Sequence, residues 1–158
     1  MFKEGFMQDI EYMKEALKEA KKAFDRDEVP IGCVIVYKGR ILARAHNTVE
    51  EDKLAINHAE INAIRLASEA LGDWRLDDCV MYVTKEPCAM CAGAISKARI
   101  KRLVVGARDI KMGCAGSLYD ILNDANLYHK VEVEFDVLSG QCLSILQEFF
   151  KNKRRVVE

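Results

Sequence analysis

The first quarter of the chain passes from a helical to a strand pattern of apolar residues. From Phe6 to Phe24 the apolar positions recur at steps of three and four, which predicts an amphipathic helix that ends before Pro30. Ile31 to Tyr37 is rich in β-branched residues and predicts a strand, and Ile41 to His46 predicts its hairpin partner. The polar stretch from Asn47 to Ala55 then predicts a loop.

Helices and strands alternate along the rest of the chain. Further strands are predicted over Cys79–Thr84, Ile100–Val105 and Val131–Leu138. Helices are predicted from Ile56 to the stop signal Gly72, after Pro87, over Leu118–Leu122, and from Gly140 to Lys153 with Leu143, Leu146, Phe149 and Phe150 facing inward. Strands separated by helices predict an α/β fold in which one sheet is covered on both faces.

Composition adds limits to this picture. A chain of 158 residues, half of them hydrophobic, is the usual size of one domain, so residues 1–158 are expected to form a single domain. No apolar run is long enough for a membrane span, and the N-terminus lacks the pattern of a secretory signal. We therefore expect a cytoplasmic protein that does not bind membranes.

Charge is balanced overall but unevenly distributed. The formal net charge is −1, which gives no general indication of a nucleic-acid partner. Basic residues nevertheless cluster between Arg99 and Lys111 and again between Lys151 and Arg155. Each cluster is compatible either with contacts to phosphates or with an ordinary solvated surface.

The six cysteines fall into two groups. Cys33, Cys79, Cys114 and Cys142 stand alone, and isolated cysteines of a cytosolic protein most often pack in the core. Cys88 and Cys91 are three residues apart at the start of a predicted helix, so their sulfurs lie on one face. The positive end of the helix favours the thiolate, which is the form that binds metals.

A histidine near the start of another predicted helix would complete a metal site. His58 with Cys88 and Cys91 makes the Cys₂His set of a zinc site whose fourth position is open, which is typical of catalytic zinc. Two alternatives remain. The cysteines could form a redox pair, or His46 or His129 could close a structural zinc site.

Glu60 has two interpretations. With Asn57 as N-cap, Glu60 would be the third helical residue of a capping box. A carboxylate two residues from a metal ligand could instead carry protons as a general acid and base.

These residues match a known signature. His58-Ala59-Glu60 followed by Pro87-Cys88-Ala89-Met90-Cys91 resembles the cytidine deaminase superfamily, in which the glutamate is a general acid/base and not a ligand. Ala107-Arg108-Asp109 with the loop from Gly113 to Leu118 narrows the resemblance to the tRNA-specific adenosine deaminases of bacteria. The likeness extends from about Met7 to Arg155.

The resemblance implies a fold, a reaction and partners. The fold would be a three-layer α/β/α sandwich with a five-stranded mixed sheet, and the chain a homodimer with one Zn²⁺ per subunit. The reaction would be hydrolytic deamination of adenosine to inosine at the wobble position of a tRNA anticodon, in bacteria that of an arginine tRNA. A splayed loop nucleotide would be the substrate, since a stacked base cannot be reached.

The resemblance also implies roles for individual residues. His58, Cys88 and Cys91 would hold zinc, and Glu60 would move protons. The nucleoside and the anticodon stem-loop would be contacted by Asn47, the Ala59 backbone, Val29, Asp109, Lys111, Phe150, Lys153 and Arg154. Two rival functions share the metal set, namely deamination of a free base such as guanine or cytosine and a non-catalytic zinc-binding RNA module.

Overall fold

The computed structural model describes residues 2–127 and 129–157. Its helices are α1 (Phe2–Asp25), α2 (Val49–Asp52), α3 (Ala59–Leu71), α4 (Ala89–Lys97) and α5 (Ser139–Val157). Its strands are β1 (Gly32–Tyr37), β2 (Arg40–His46), β3 (Cys79–Lys85), β4 (Arg102–Ala107) and β5 (Glu132–Glu134).

The strands form one five-stranded mixed sheet in the order β2-β1-β3-β4-β5. Strand β1 is antiparallel to both β2 and β3, whereas β3, β4 and β5 are parallel. Strands β2 and β3 therefore run in the same direction, and their carboxyl ends meet at one edge of the sheet. Helices α3 and α4 follow these two strands, so both helices begin at that edge.

The two faces of the sheet carry separate cores. Cys33 and Ile35 of β1 pack with residues of α3 and α4, while Val34 and Val36 pack with residues of α1 and α5. This alternation follows from the two-residue period of a strand. The predicted three-layer α/β/α sandwich is thereby confirmed.

Helix α1 lies directly against the start of β1. A Cβ atom at Gly32 would stand 1.9 Å from the carbonyl oxygen of Ala16 and 2.5 Å from the backbone nitrogen of Ala20. Only glycine allows so close an approach of helix and strand. The main-chain N–H of Gly32 donates to the Thr84 hydroxyl at 3.1 Å, which fixes the same strand from its other side.

Several local predictions were wrong. Leu118–Leu122 is not a helix, because the chain turns there and Ala115 pairs with Asp120 in an isolated β-bridge. The last strand covers only Glu132–Glu134, since Asp136 and Leu138 have positive φ angles that an extended strand does not allow. The predicted loop 47–55 contains the single-turn helix α2.

Two of the four residues predicted to face inward from α5 are buried, and two are exposed. Leu146 and Phe149 are buried, but Leu143 and Phe150 are 46% and 43% exposed. Cys142 of α5 packs in the core with Val104 and Ala107 of β4, and Phe149 contacts Phe24 of α1. Leu143 and Phe150 lie one position further round the helix and turn toward solvent. Phe6 is likewise exposed at the beginning of α1.

The four isolated cysteines are buried, as predicted. Cys33, Cys79 and Cys114 belong to the core beneath α3 and α4, and Cys142 belongs to the opposite core. Burial raises the pKa of the Cys142 thiol to about 12, which keeps it protonated and apolar in character.

Among the described residues, no helix has the length and apolarity needed to cross a membrane.

A buried carboxylate joins α1 to the sheet. Asp9 accepts hydrogen bonds from the Tyr82 hydroxyl at 2.8 Å and from the two terminal nitrogens of Arg102 at 2.8 and 2.7 Å. Arg102 also approaches the exposed Glu132 at 3.5 Å. Burial and the bond to Asp9 raise the pKa of Tyr82, so its hydroxyl remains a donor. The Asp9 cluster thus connects α1, β3 and β4.

This cluster predicts an asymmetry between the two acidic partners of Arg102. Asp9→Ala leaves a partly buried guanidinium without its bidentate partner and is expected to lower the free energy of unfolding by about 3 kcal/mol. Glu132→Ala removes only an exposed partner and is expected to cost less than about 1 kcal/mol. Urea-induced unfolding of both variants measures the difference, and equal losses would contradict the importance assigned to Asp9.

Candidate active site

The candidate site lies where α3 and α4 begin. His58 and Cys88 are the N-cap residues of these helices, each with an extended backbone, at φ −72°, ψ 156° and φ −74°, ψ 179°. Within the described residues neither side chain caps its own helix, and both face one another instead. Pro87 was predicted to open α4, but it precedes the N-cap, where proline favours an extended chain.

Three potential ligand atoms converge at this point. Nδ1 of His58 lies 3.7 Å from Sγ of Cys88 and 3.5 Å from Sγ of Cys91, and all three atoms lie within 4.8 Å of one another. A tetrahedral ion about 2.0–2.1 Å from nitrogen and about 2.3 Å from sulfur holds such atoms roughly 3.5 Å apart. The donor set and its spacing therefore fit zinc.

The two sulfurs differ in electrostatic environment. Hydrogen bonding from Cys91 and from His58 lowers the pKa of Cys88 to about 3. The same bond to Cys88, together with burial, raises the pKa of Cys91. The pair thus carries a thiolate at neutral pH, which is the form of cysteine that binds a metal ion.

Glu60 lies beside these ligands in the first turn of α3 and is 3% exposed. Burial is the main cause that raises the pKa of its carboxyl group. Its Oε1 atom has no hydrogen-bond partner in the described part of the chain. An unpaired buried carboxylate oxygen is costly and rare, which points to a group outside the protein that completes the site.

The capping-box interpretation of Glu60 was wrong. The N-cap is His58 and not Asn57, so Glu60 is the second helical residue and not the third. The amide of Asn57 donates instead to Asp52 of α2 at 2.7 Å.

Asn47 caps α3 from the end of β2. Its side-chain Oδ1 accepts a hydrogen bond from the Ala59 main-chain N–H at 2.7 Å. The main-chain N–H of Asn47 donates to the Ile31 carbonyl at 3.2 Å. Asn47 and Ala59, two of the predicted substrate residues, therefore lie next to His58. While Oδ1 holds the start of α3, the amide nitrogen of Asn47 remains able to donate to a bound molecule.

The other predicted substrate residues line two cavities outside the metal cluster. Val29, Phe150 and Lys153 border a cavity of about 1010 Å³, and Asp109, Lys111, Phe150 and Arg154 border one of about 430 Å³. Phe150 borders both cavities. Lys153 is engaged in an ion pair with Asp27 at 2.6 Å.

Asp109 is turned toward its own loop. Its Oδ1 accepts from the main-chain N–H groups of Lys111 and Met112, both at 3.1 Å, and its Oδ2 pairs with Lys85 at 3.2 Å. Lys85 was not singled out in the sequence. A charged residue at the end of an otherwise apolar strand was the available signal.

Neither alternative metal assignment agrees with the structure. His46 Nδ1 pairs with Glu19 at 2.9 Å, and His129 Nε2 contacts the Ile100 carbonyl at 2.7 Å. Among the described residues, neither histidine joins the cluster of His58, Cys88 and Cys91. A simple redox pair would not require the imidazole that contacts both sulfurs.

Comparison with known proteins finds similarity to deaminases. The MafB19-like deaminase family model matches residues 7–154. The tRNA-specific adenosine deaminase of Bacillus subtilis (strain 168) is 49% identical over 148 residues, which cover 94% of this chain and 92% of that protein.

Two solved structures are also similar. One, from a study of A-to-I editing by tRNA:A34 deaminases at the wobble position, is 45% identical with a TM-score of 0.83 and covers 86% of this chain and 99% of its own. A guanine deaminase from Bacillus subtilis is 40% identical with a TM-score of 0.58, over 61% of this chain and 62% of its own.

The capping role of Asn47 predicts a stability effect that does not depend on any substrate. Asn47→Ala leaves the Ala59 N–H without its acceptor and is expected to lower the free energy of unfolding by about 1–2 kcal/mol. Asn47→Asp keeps an acceptor and adds charge that favours a helix N-terminus, so most of this stability should be retained. Urea unfolding distinguishes the two variants, and equal destabilisation would exclude the cap as the cause.

Proposed function

The chain belongs to the tRNA-specific adenosine deaminases of the cytidine deaminase superfamily, and from this premise we propose that it hydrolyses adenosine to inosine at the wobble position of a tRNA anticodon. One observation carries the chemistry: a buried carboxylate oxygen without a partner in the described chain lies beside a cluster of three metal ligands. The proposal includes a single domain, the cytoplasm as its location, and an arginine tRNA as the bacterial substrate.

His58, Cys88 and Cys91 would hold one zinc ion per subunit and leave one coordination position open. When bound there, zinc lowers the pKa of a water molecule from near 16 toward about 7. The three side chains are fixed by two helix N-termini, so the open position keeps a constant place relative to Glu60.

Glu60 would move the protons. It accepts one proton from the attacking water and delivers it to N1 of adenine, while the water oxygen forms a bond to C6. Glu60 then takes the remaining proton from the new hydroxyl on C6 and passes it to the exocyclic nitrogen, and the bond from C6 to this nitrogen breaks to release ammonia and leave the C6 carbonyl of inosine. Burial raises the pKa of this carboxyl group toward neutral pH, which makes it a stronger base toward water and still allows it to return the proton.

Asn47 and Ala59 would orient the nucleoside. The Asn47 amide nitrogen can donate to a ribose or base acceptor while its oxygen holds α3, and the Ala59 backbone lies at the helix start beside it. Val29 would form part of the pocket wall. The bond between Asn47 and Ala59 supports this placement, because the contact that stabilises the helix also fixes the direction of the free amide.

The surface around the two cavities would bind the anticodon stem-loop. Lys111 and Arg154 provide positive charge, and Phe150 provides an aromatic face on which a base can stack. Asp109 and Lys153 border the same region. Binding through phosphates predicts that affinity falls as the salt concentration rises.

The chain is further proposed to act as a homodimer. Leu54 and Ile56, on the approach to α3, are 45% and 49% exposed, and Leu66 of α3 is 38% exposed. Exposed apolar residues of this kind are compatible with a subunit interface.

A solved guanine deaminase is similar to this chain, so deamination of a free base is the second candidate function, for which we propose the same metal ligands and the same glutamate. The basic residues around Phe150 favour an RNA substrate, because a free purine offers no phosphates for them to bind.

The metal set predicts which cysteine substitution removes zinc. Cys91→Ser is expected to lose the bound ion, since a serine hydroxyl stays protonated at neutral pH and is a poor zinc ligand. Cys114→Ser is a matched control, because this buried thiol lies outside the ligand cluster and should retain one zinc per chain. Elemental analysis of both proteins after gel filtration with a weak chelator measures the number of zinc ions bound per chain. Zinc retained by Cys91→Ser would contradict the assignment.

The reaction is tested with total bacterial tRNA. Wild-type protein should convert the wobble adenosine of an arginine tRNA to inosine, read as guanosine on sequencing, and leave free guanine and cytosine unchanged. Glu60→Ala should keep its zinc and lose roughly 10²–10⁴-fold in rate, and Glu60→Gln should do the same without a cavity. Conversion of free guanine with unmodified tRNA would favour the second candidate, and full activity of both Glu60 variants would refute the role of this residue.

A further inference from the structure

A second buried carboxylate lies immediately before the metal-ligand segment. Glu86 follows β3, comes two residues before Cys88, and is only 3% exposed. Its main-chain N–H donates to the Ala107 carbonyl at 2.9 Å, which holds this residue beside the end of β4. Glu86 has no part in the proposed proton transfers.

All the hydrogen bonds that the Glu86 carboxylate accepts from described residues come from one loop. Its Oε1 accepts from the Asp109 N–H at 3.1 Å and from the Ser117 hydroxyl. Its Oε2 accepts from the N–H groups of Ala115 and Ser117 at 3.1 and 3.0 Å. A buried carboxylate usually pairs with a cation, whereas here the described residues surround it with four N–H and O–H donors.

The loop is shaped to fit around this carboxylate. A Cβ atom at Gly113 would stand 2.4 Å from Cδ of Glu86 and 2.4 Å from the Asp109 carbonyl oxygen, so the position has room only for glycine. The Cys114 N–H donates to the Pro87 carbonyl at 2.8 Å, next to the metal ligand Cys88. The loop from residue 109 to 117 therefore contacts both the carboxylate and the segment that carries the ligands.

We propose that Glu86 is a positioning residue that holds the loop 109–117 in register with the metal centre. The loop carries Asp109 and Lys111, and the chain runs from the end of β3 through Glu86 to Cys88. One carboxylate therefore sets the distance between the RNA-binding and the metal-binding segments. The consequence for substrate binding rests on the proposed function. The consequence for the loop itself does not.

Glu86→Gln is the sharpest variant. Glutamine has the same shape, but its amide nitrogen cannot accept a hydrogen bond, so one of the two oxygens that serve the loop is lost. Ser117→Ala removes one hydroxyl donor and should have a smaller effect of the same kind. Gly113→Ala pushes against the carboxylate from the other side. Glu69→Gln, at an exposed position of α3, is the matched control.

Amide hydrogen exchange on the zinc-loaded protein tests the positioning role without any substrate. In Glu86→Gln, exchange at residues 109–117 should become at least about tenfold faster, as expected when two hydrogen bonds to a charged acceptor are lost. Exchange in β1 and β3 should stay as in Glu69→Gln. Unchanged exchange in the loop, or loss of zinc from the variant, would overturn the proposal. If Glu86→Gln does not fold, Ser117→Ala gives the same test with a smaller expected increase.

Kinetics with an anticodon stem-loop RNA test the consequence. For Glu86→Gln, KM should rise about tenfold or more while kcat stays within about threefold, because the ligands and Glu60 keep their places. Gly113→Ala should shift KM in the same direction. A fall in kcat at constant KM would overturn the proposal in favour of a direct effect on the metal centre. If wild-type protein leaves RNA unmodified, the proposed function fails, and the exchange measurement still decides the role of Glu86.

Discussion

The site depends on one geometric constraint, which is that two helices must begin at the same edge of the sheet. Strands β2 and β3 are both antiparallel to the β1 strand between them, so their carboxyl ends coincide. The two helices that follow start with residues in the same conformation, His58 and Cys88. The segment 47–58, which includes α2, joins β2 to α3, whereas only three residues separate β3 from α4. Together they bring an imidazole nitrogen to 3.7 and 3.5 Å from two sulfurs.

Three of the buried carboxylates among the described residues differ in the hydrogen bonds that their oxygens accept. Asp9 is neutralised by Arg102 and connects α1 to the sheet. Glu86 is surrounded by N–H and O–H donors of one loop. Glu60 keeps an oxygen to which no described residue donates a hydrogen bond. The first two arrangements stabilise the fold, and the third costs stability, which is expected of a group retained for chemistry.

Much of this arrangement was predictable from the sequence, because it depends on local periodicity. The strands β1 to β4, the helix ends near Gly72 and the spacing of Cys88 and Cys91 follow from rules about neighbouring residues. The wrong predictions depend on particular side-chain contacts that a local pattern does not reveal, some of them distant in sequence. Asn57 could not be excluded as N-cap without knowing that its amide bonds to Asp52. The loop conformation at 118–122 is set by Gly116, Ser117 and Glu86, which are up to 31 residues apart.

Glu86 illustrates why some residues stay hidden. In the sequence it is an acidic residue next to a proline, and no neighbouring residue indicates that hydrogen-bond donors surround its side chain. The structure brings to it four donors that lie 23 to 31 residues further along the chain. The same distance makes the arrangement useful. This chain is similar both to a structure from a study of tRNA:A34 deaminases and to a guanine deaminase, so overall similarity does not specify the base that would reach the candidate metal centre. Discrimination must then come from segments placed against that centre, and a buried carboxylate two residues from a ligand fixes such a segment with little freedom to move.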